Sequence, residues 1–146
     1  MADVSAKPVS HRSARAHASV RMARSALLQI RRLDSPKGNP LEIARIAGIT
    51  AAKRTWEMIP LCHPLPLTHI DVKAELCHNG IEIDSVVRTR AGTGVEMEAL
   101  VAVSVAALTV YDMCKALDRR MEINQIYLLE KIGGRSGHYV RAKSSS

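Results

Sequence analysis

Phenylalanine is absent from this 146-residue chain and aromatic residues of any kind make up 3% of it, although apolar residues reach 47%. The core must therefore be packed from Ala, Val, Ile and Leu, whose small volumes favour close helix contacts. The same scarcity weighs against a sheet that stacks RNA bases, because only Tyr127 sits on a predicted strand. Three cysteines, an odd number in no recognisable framework, do not fit a disulfide scaffold and point to reduced thiols in a cytoplasmic compartment. No apolar run reaches the ~18 uncharged residues of a membrane span, Ala99 to Tyr111 coming nearest, so the expected partner list contains no membrane. Acidic charge is also in short supply: 21 Lys and Arg against 14 Asp and Glu give a net charge of +7, which favours an anionic partner: nucleic acid, a membrane surface or a phosphorylated small molecule.

The length fits a single domain spanning residues 1–146. Its first 32 residues hold seven Lys and Arg against Asp3, with several serines, which is also transit-peptide composition. Residues 1–16 and the tail 141–146 are expected to be flexible or used in assembly. "HASVRM" (17–22) reads as a short strand, and Ala23, Leu27 and Ile30 share one face of a following helix. "DSPKGNP" is a turn. Asn39, Pro40 and Glu42 then form a helix start with a capping box, and this second helix is expected to run to about Met58. "LTHIDVKAEL" (67–76) alternates as a half-buried strand, Asn79-Gly80 signals a hairpin, and Ile81, Ile83, Ser85 and Val87 fall on one face of the returning strand. A helix apolar nearly all round follows, then "MEINQIYLLEKI" as a strand. The order is that of a ferredoxin-like βαββαβ sandwich, an α+β fold with helices on one face of an antiparallel sheet. The very apolar helix and the run from Ile126 to Leu129 exceed what one small sandwich hides, so self-association is expected.

Several clusters carry candidate chemistry. Prolines 60, 64 and 66 stiffen "IPLCHPLPL" (59–67), which displays Cys62 and His63 in a rigid loop between a helix and a strand. Cys62-His63 recurs as Cys77-His78, but adjacent residues of an extended chain point to opposite sides, which does not suit zinc ligation. Asp112 and Lys115 lie three apart on a helix, so their side chains meet; among Val110, Tyr111, Met113 and Cys114 the pair would be partly desolvated and poised for proton transfer, or else a solvated surface bridge. Lys37 precedes a helix N-terminus, where a bound anion would relieve the mismatch with the helix dipole, though a turn lysine is often merely exposed. Glu96 and Glu98 follow "AGTG" in a first helical turn, a place where acids stabilise helices in any case. "KIGGRSG" (131–137) is a glycine-rich basic loop without P-loop spacing.

Taken together, "DVSAK" (3–7), "ARIAGITAAKRTWEMIPLCHPL" (44–65), "TGVEMEAL" (93–100) and "LTVYDMCKA" (108–116) resemble the cyclic pyranopterin monophosphate synthase family over nearly the whole chain. The resemblance implies the ferredoxin-like fold, a homohexamer arranged as a trimer of dimers with active sites between subunits, and no metal or organic cofactor. It implies that the basic N-terminal segment is mature protein. The implied reaction is a lyase step of molybdenum cofactor biosynthesis: a cyclised dihydro-GTP nucleotide is rearranged to a pterin carrying a cyclic phosphate, and diphosphate leaves. By position, Asp112 and Lys115 resemble the catalytic acid–base pair and Lys37 a second essential lysine. Leu61, Cys62, His63, Met97 and Glu98 resemble substrate-contacting residues, and Arg12 and Glu96 are further candidates. Expelling diphosphate requires positive charge near the leaving group, for which Arg12, Lys53, Arg54 and Arg135 are available. No role is carried over to His69 or His78, which lie in a loosely similar stretch.

Overall fold

The computed structural model describes residues 1–32 and 38–142. In chain order it contains β1 (Ser10–Arg21), α1 (Arg24–Arg31), α2 (Pro40–Lys53), α3 (Thr55–Met58), β2 (Leu67–Leu76), β3 (Gly80–Ala91), α4 (Glu96–Cys114), β4 (Glu122–Ile132) and β5 (His138–Val140). The strands form one antiparallel sheet in the order β2-β3-β1-β4-β5, the ferredoxin-like arrangement extended by a short edge strand.

Register and periodicity explain the layering. Along β1, Arg12, Ala14, Ala16, Ala18 and Val20 point to one face, opposite Thr89, Val87, Ser85, Ile83 and Ile81 of β3. All ten are buried; α4 packs on β1 and β3, and α2 packs on α4 and β2. The alanines let α4 lie close on the central strand. Gly48 does the same between helices: a Cβ there would sit 2.8 Å from the carbonyl oxygen of Ala102, so α2 and α4 touch backbone to side-chain-free backbone. The opposite face of the sheet is polar, with His17 between Glu82 and Asp84 at 2.8 and 2.9 Å and Arg15 paired with Glu130 at 3.4 Å. By length and composition α4 could cross a bilayer; in this fold it is the core helix of the sandwich, half buried between sheet and α2.

Several boundaries differ from the sequence reading. β1 starts at Ser10, seven residues before the expected strand, so residues 10–16 belong to the sheet rather than to a loose basic segment. Their alternation of Ala with Arg, Ser and His has little intrinsic β preference, and burial under the helices decides it. The second helix stops at Lys53 and resumes at Thr55, whose buried hydroxyl bonds the Ala52 carbonyl at 3.0 Å in competition with the backbone ladder. Asn39 caps α2 as expected, accepting from the N–H of Leu41 and Glu42, but Glu42 turns away to Arg45 and does not close the capping box. β5 was not anticipated.

Candidate active site

A cleft of about 950 Å³ opens where the end of β1 meets the β3–α4 connection and the β4–β5 loop. Arg12 continues the inward face of β1 one step past the alanines, beyond the end of α4, and so carries its guanidinium into the cleft with only 9% of the residue exposed. One terminal nitrogen reaches the Gly92 carbonyl at 3.4 Å, while Nε is buried with no hydrogen-bond partner among the described residues. Gly134, at φ +84°, lies against that guanidinium, and a Cβ there would collide with it. Lys7, Lys131 and Arg135 complete a basic lining, and Lys131 Nζ is held 2.8 Å from Glu96 Oε1 in the first turn of α4. A buried guanidinium with lysines around it can bind an anion through charge-assisted hydrogen bonds.

The proline-stiffened loop contributes no residue to the lining of this cleft; it lies beside the first turn of α4, where Cys62 feels the charge of Glu98. His63 Nε2 donates to the carbonyl of Ala2 at 2.8 Å, which draws the N-terminal segment across the loop while Lys7 of that segment reaches the cleft. Leu61 is 70% exposed. The Cys62 thiol is pushed up by burial and by the charge of Glu98, so it is a poor nucleophile. Glu98 itself is buried; burial raises its carboxyl to about 7, with the charge of Glu96 adding to the effect and its own backbone N–H opposing it. Glu96, Met97 and Glu98 are consecutive, so α4's first turn joins the basic cleft to the Cys62–His63 loop.

Asp112 and Lys115 meet as expected, 2.6 Å apart, but at the other end of α4. Sixteen residues separate Glu96 from Asp112, about 24 Å along the helix axis, several times a lysine's reach. The pair is 59% and 54% exposed rather than partly desolvated. Helical periodicity explains the correction: Val110 and Cys114 fall on the buried face and Asp112 and Lys115 point away from it. The hydrogen bond and charge of Asp112 hold the Lys115 ammonium above its ordinary range. Lys37 lies outside the described residues.

Of the other candidates, Arg135 lines the cleft, whereas Lys53 and Arg54 do not, and Arg54 is paired with Glu57 at 2.9 Å. Among the described residues no three His, Cys, Asp or Glu side chains gather as a metal site. Tyr127 has Arg141 4.4 Å over its ring and His17 at 5.2 Å, so its ring is already engaged. The sequence reading passed over Lys131 as a partner of Glu96; the glycine-rich loop beside it was the available signal.

The MoaC family model matches residues 1–134. The chain is 54% identical over 143 residues to the cyclic pyranopterin monophosphate synthase of Heliobacterium modesticaldum, covering 97% of this chain and 90% of that protein. It is also 54% identical over 142 residues to the proteins of that name from Roseiflexus sp. (strain RS-1) and Roseiflexus castenholzii, with 96% and 90% covered in each case. A match that runs through the basic cleft, the proline-stiffened loop and both ends of α4 leaves one assignment: this chain belongs to the MoaC family.

Proposed function

We propose that the chain is a cyclic pyranopterin monophosphate synthase, a lyase that converts the cyclised dihydro-GTP nucleotide to the cyclic phosphate pterin with release of diphosphate, in molybdenum cofactor biosynthesis. The observation that carries this reading is the cleft around Arg12, in which a buried guanidinium lacks a full set of acceptors among the described residues, beside Lys7, Lys131 and Arg135. A triphosphate supplies those acceptors. As an oxygen of the sugar-derived chain attacks the innermost phosphorus, the P–O bond to the next phosphate breaks, and the charge that develops on departing diphosphate falls on these cations.

Opening and reclosing the purine ring requires protons moved on and off nitrogen and oxygen. Glu98, with a carboxyl at about 7, can give or take one near neutrality. Lys115, held cationic by Asp112, is the complementary acid, and Lys37 is the second lysine this reading requires. Cys62 packs and His63 orients. Since about 24 Å of helix separates the two ends of α4, an active site that uses both draws them from different copies. Exposed Ile43, Ile46, Trp56, Met58 and Leu108 on the helix layer, 43 to 59% accessible, support such association, and the homohexamer is the assembly we assign. The cytoplasm, where thiols stay reduced, is the compartment that goes with it.

The test is to supply the cyclised dihydro-GTP, oxidise the products, and measure fluorescent pterin together with released diphosphate. Equal amounts of both, lost in Lys115→Ala and Lys37→Ala oligomers that remain folded, are expected. Unfolding and reassembling Arg12→Ala with Lys115→Ala chains should restore about a quarter of the sites if each site takes one group from each copy. A folded wild-type oligomer that yields neither product refutes the reading.

A further inference from the structure

The turn that leads out of α4 just past Lys115 is fastened by a carboxylate for which neither ring rearrangement nor phosphate closure has a use. Cys114 and Met121 are buried, and of the six residues between them all but Asp118 are exposed. Asp118, in their midst, has a side chain only 8% exposed. Its Oδ1 accepts the N–H of Arg120 at 2.9 Å and its Oδ2 accepts the N–H of Ala23 at 2.8 Å. The first bond is an ordinary local turn that asparagine would also make. The second crosses 95 residues of sequence, and one carboxylate can serve both N–H groups because both of its oxygens accept.

Ala23 is a firm anchor. It is the N-cap of α1, a helix with no side-chain cap and no acid in its first turn, so Asp118 supplies the missing negative charge from outside. It follows directly on the central strand, and the preceding residue, Met22, is buried and donates its N–H to Asn79. On the other side of the turn the Cys114 carbonyl accepts from Leu117 at 2.8 Å and Asp118 at 3.2 Å, and Lys115 N–H bonds Tyr111 at 2.9 Å. The backbone that carries Lys115 is thus closed on α4 at one end and tied to β1–α1 at the other.

We infer that Asp118 is a positioning residue for the acid–base pair: its bridge between Ala23 and Arg120 fixes the 115–118 turn and with it the line along which Lys115 Nζ meets Asp112 and the substrate. This rests on the reading of Asp112 and Lys115 as the catalytic pair. The groups that act on the Lys115 charge are Asp112 and Tyr111, both on α4, so what Asp118 controls is geometry.

The experiment is kcat and KM against pH for the assembled enzyme, wild type, Asp118→Ala, Asp118→Asn and Lys115→Ala. Val72→Ala, a fully buried strand residue away from both ends of α4, serves as the destabilised control. Asp118→Ala is expected to lower kcat roughly tenfold with KM within about twofold. The alkaline limb of its kcat profile should move to lower pH, because a Lys115 that drifts from Asp112 loses the partner that favours its ammonium. Asp118→Asn, which keeps one acceptor, should fall between and carries the test if the alanine variant does not fold. Val72→Ala should lower thermal stability and leave the limb in place. A limb for Asp118→Ala and Asp118→Asn that superposes on wild type, with activity tracking only the folded fraction, overturns the positioning role while a dead Lys115→Ala leaves the pair standing. A fully active Lys115→Ala removes the pair and the inference with it.

Discussion

Replacing Glu98 by glutamine should make the protein more stable at alkaline pH and change it little in mild acid. Glu98 is 4% exposed and its carboxyl titrates at about 7 in the folded chain against an ordinary 4.5. A raised carboxyl means that the folded state holds a proton the unfolded state has released, so stability is greatest below about 4.5 and falls as pH rises through about 7. Burying the group costs roughly 1 kcal/mol at about pH 5 and roughly 3 kcal/mol at about pH 8.5, a difference on the order of 2 kcal/mol. Glutamine keeps the shape without the titration. Denaturant unfolding of wild type and Glu98→Gln at the two pH values and equal protein concentration measures that difference directly, since every other titrating group is common to both chains. A gap between the two proteins that stays constant across this range would refute the argument and place Glu98 in a wetter site than its burial indicates. Activity should move the other way: without a proton to exchange, Glu98→Gln is expected to lose most of kcat.

Gly134→Ala forces a side chain into the Arg12 guanidinium, so KM should rise roughly tenfold, whereas Gly137→Ala, at φ +66° with open space around it, should carry the backbone strain without the rise; steady-state kinetics on the pair separates the two effects. Arg12→Lys is expected to leave KM high, because an ammonium does not reproduce the guanidinium fork that a phosphate accepts from, and unchanged kinetics would remove Arg12 from the anion site. Gly48→Ala should cost about 1–3 kcal/mol in denaturant unfolding, since the Ala102 carbonyl that it meets is backbone and α2 must lift off α4 to admit it.

Much of this was legible wherever a pattern is local and repeats. Ile81, Ile83, Ser85 and Val87 alternate in sequence and are all buried in β3, and the apolar girth of α4 announced a helix covered on more than one side. The early start of β1 was not legible because "RSARA" has the composition of a basic tail; only the helices above it make its alanines an inward face. The Asp112–Lys115 contact followed from helical spacing, but its exposure did not, since neighbours in sequence say nothing about which face a residue takes unless the phase of the whole helix is followed. Arg12 was one arginine among several, and what distinguishes it, burial against Gly92 and Gly134, depends on residues some 80 and more than 120 positions away. The Lys131–Glu96 pair is long-range in the same way. Lys37 lies outside the described residues, so its part in the site stands on the family resemblance.

The inward face of β1 runs without interruption from Val20 through three alanines to Arg12. Side chains alternate strictly along a strand, so a slip of one residue against β3 would turn the whole row over at once. Ser13, Arg15 and His17 would then be pressed beneath α4, and Arg12 would swing out to the polar side. A chain in that register could neither close its core nor line its basic cleft with Arg12. Strand register and the placement of Arg12 are therefore settled in the same event, and any molecule that passes the folding step already carries its arginine on the cleft side.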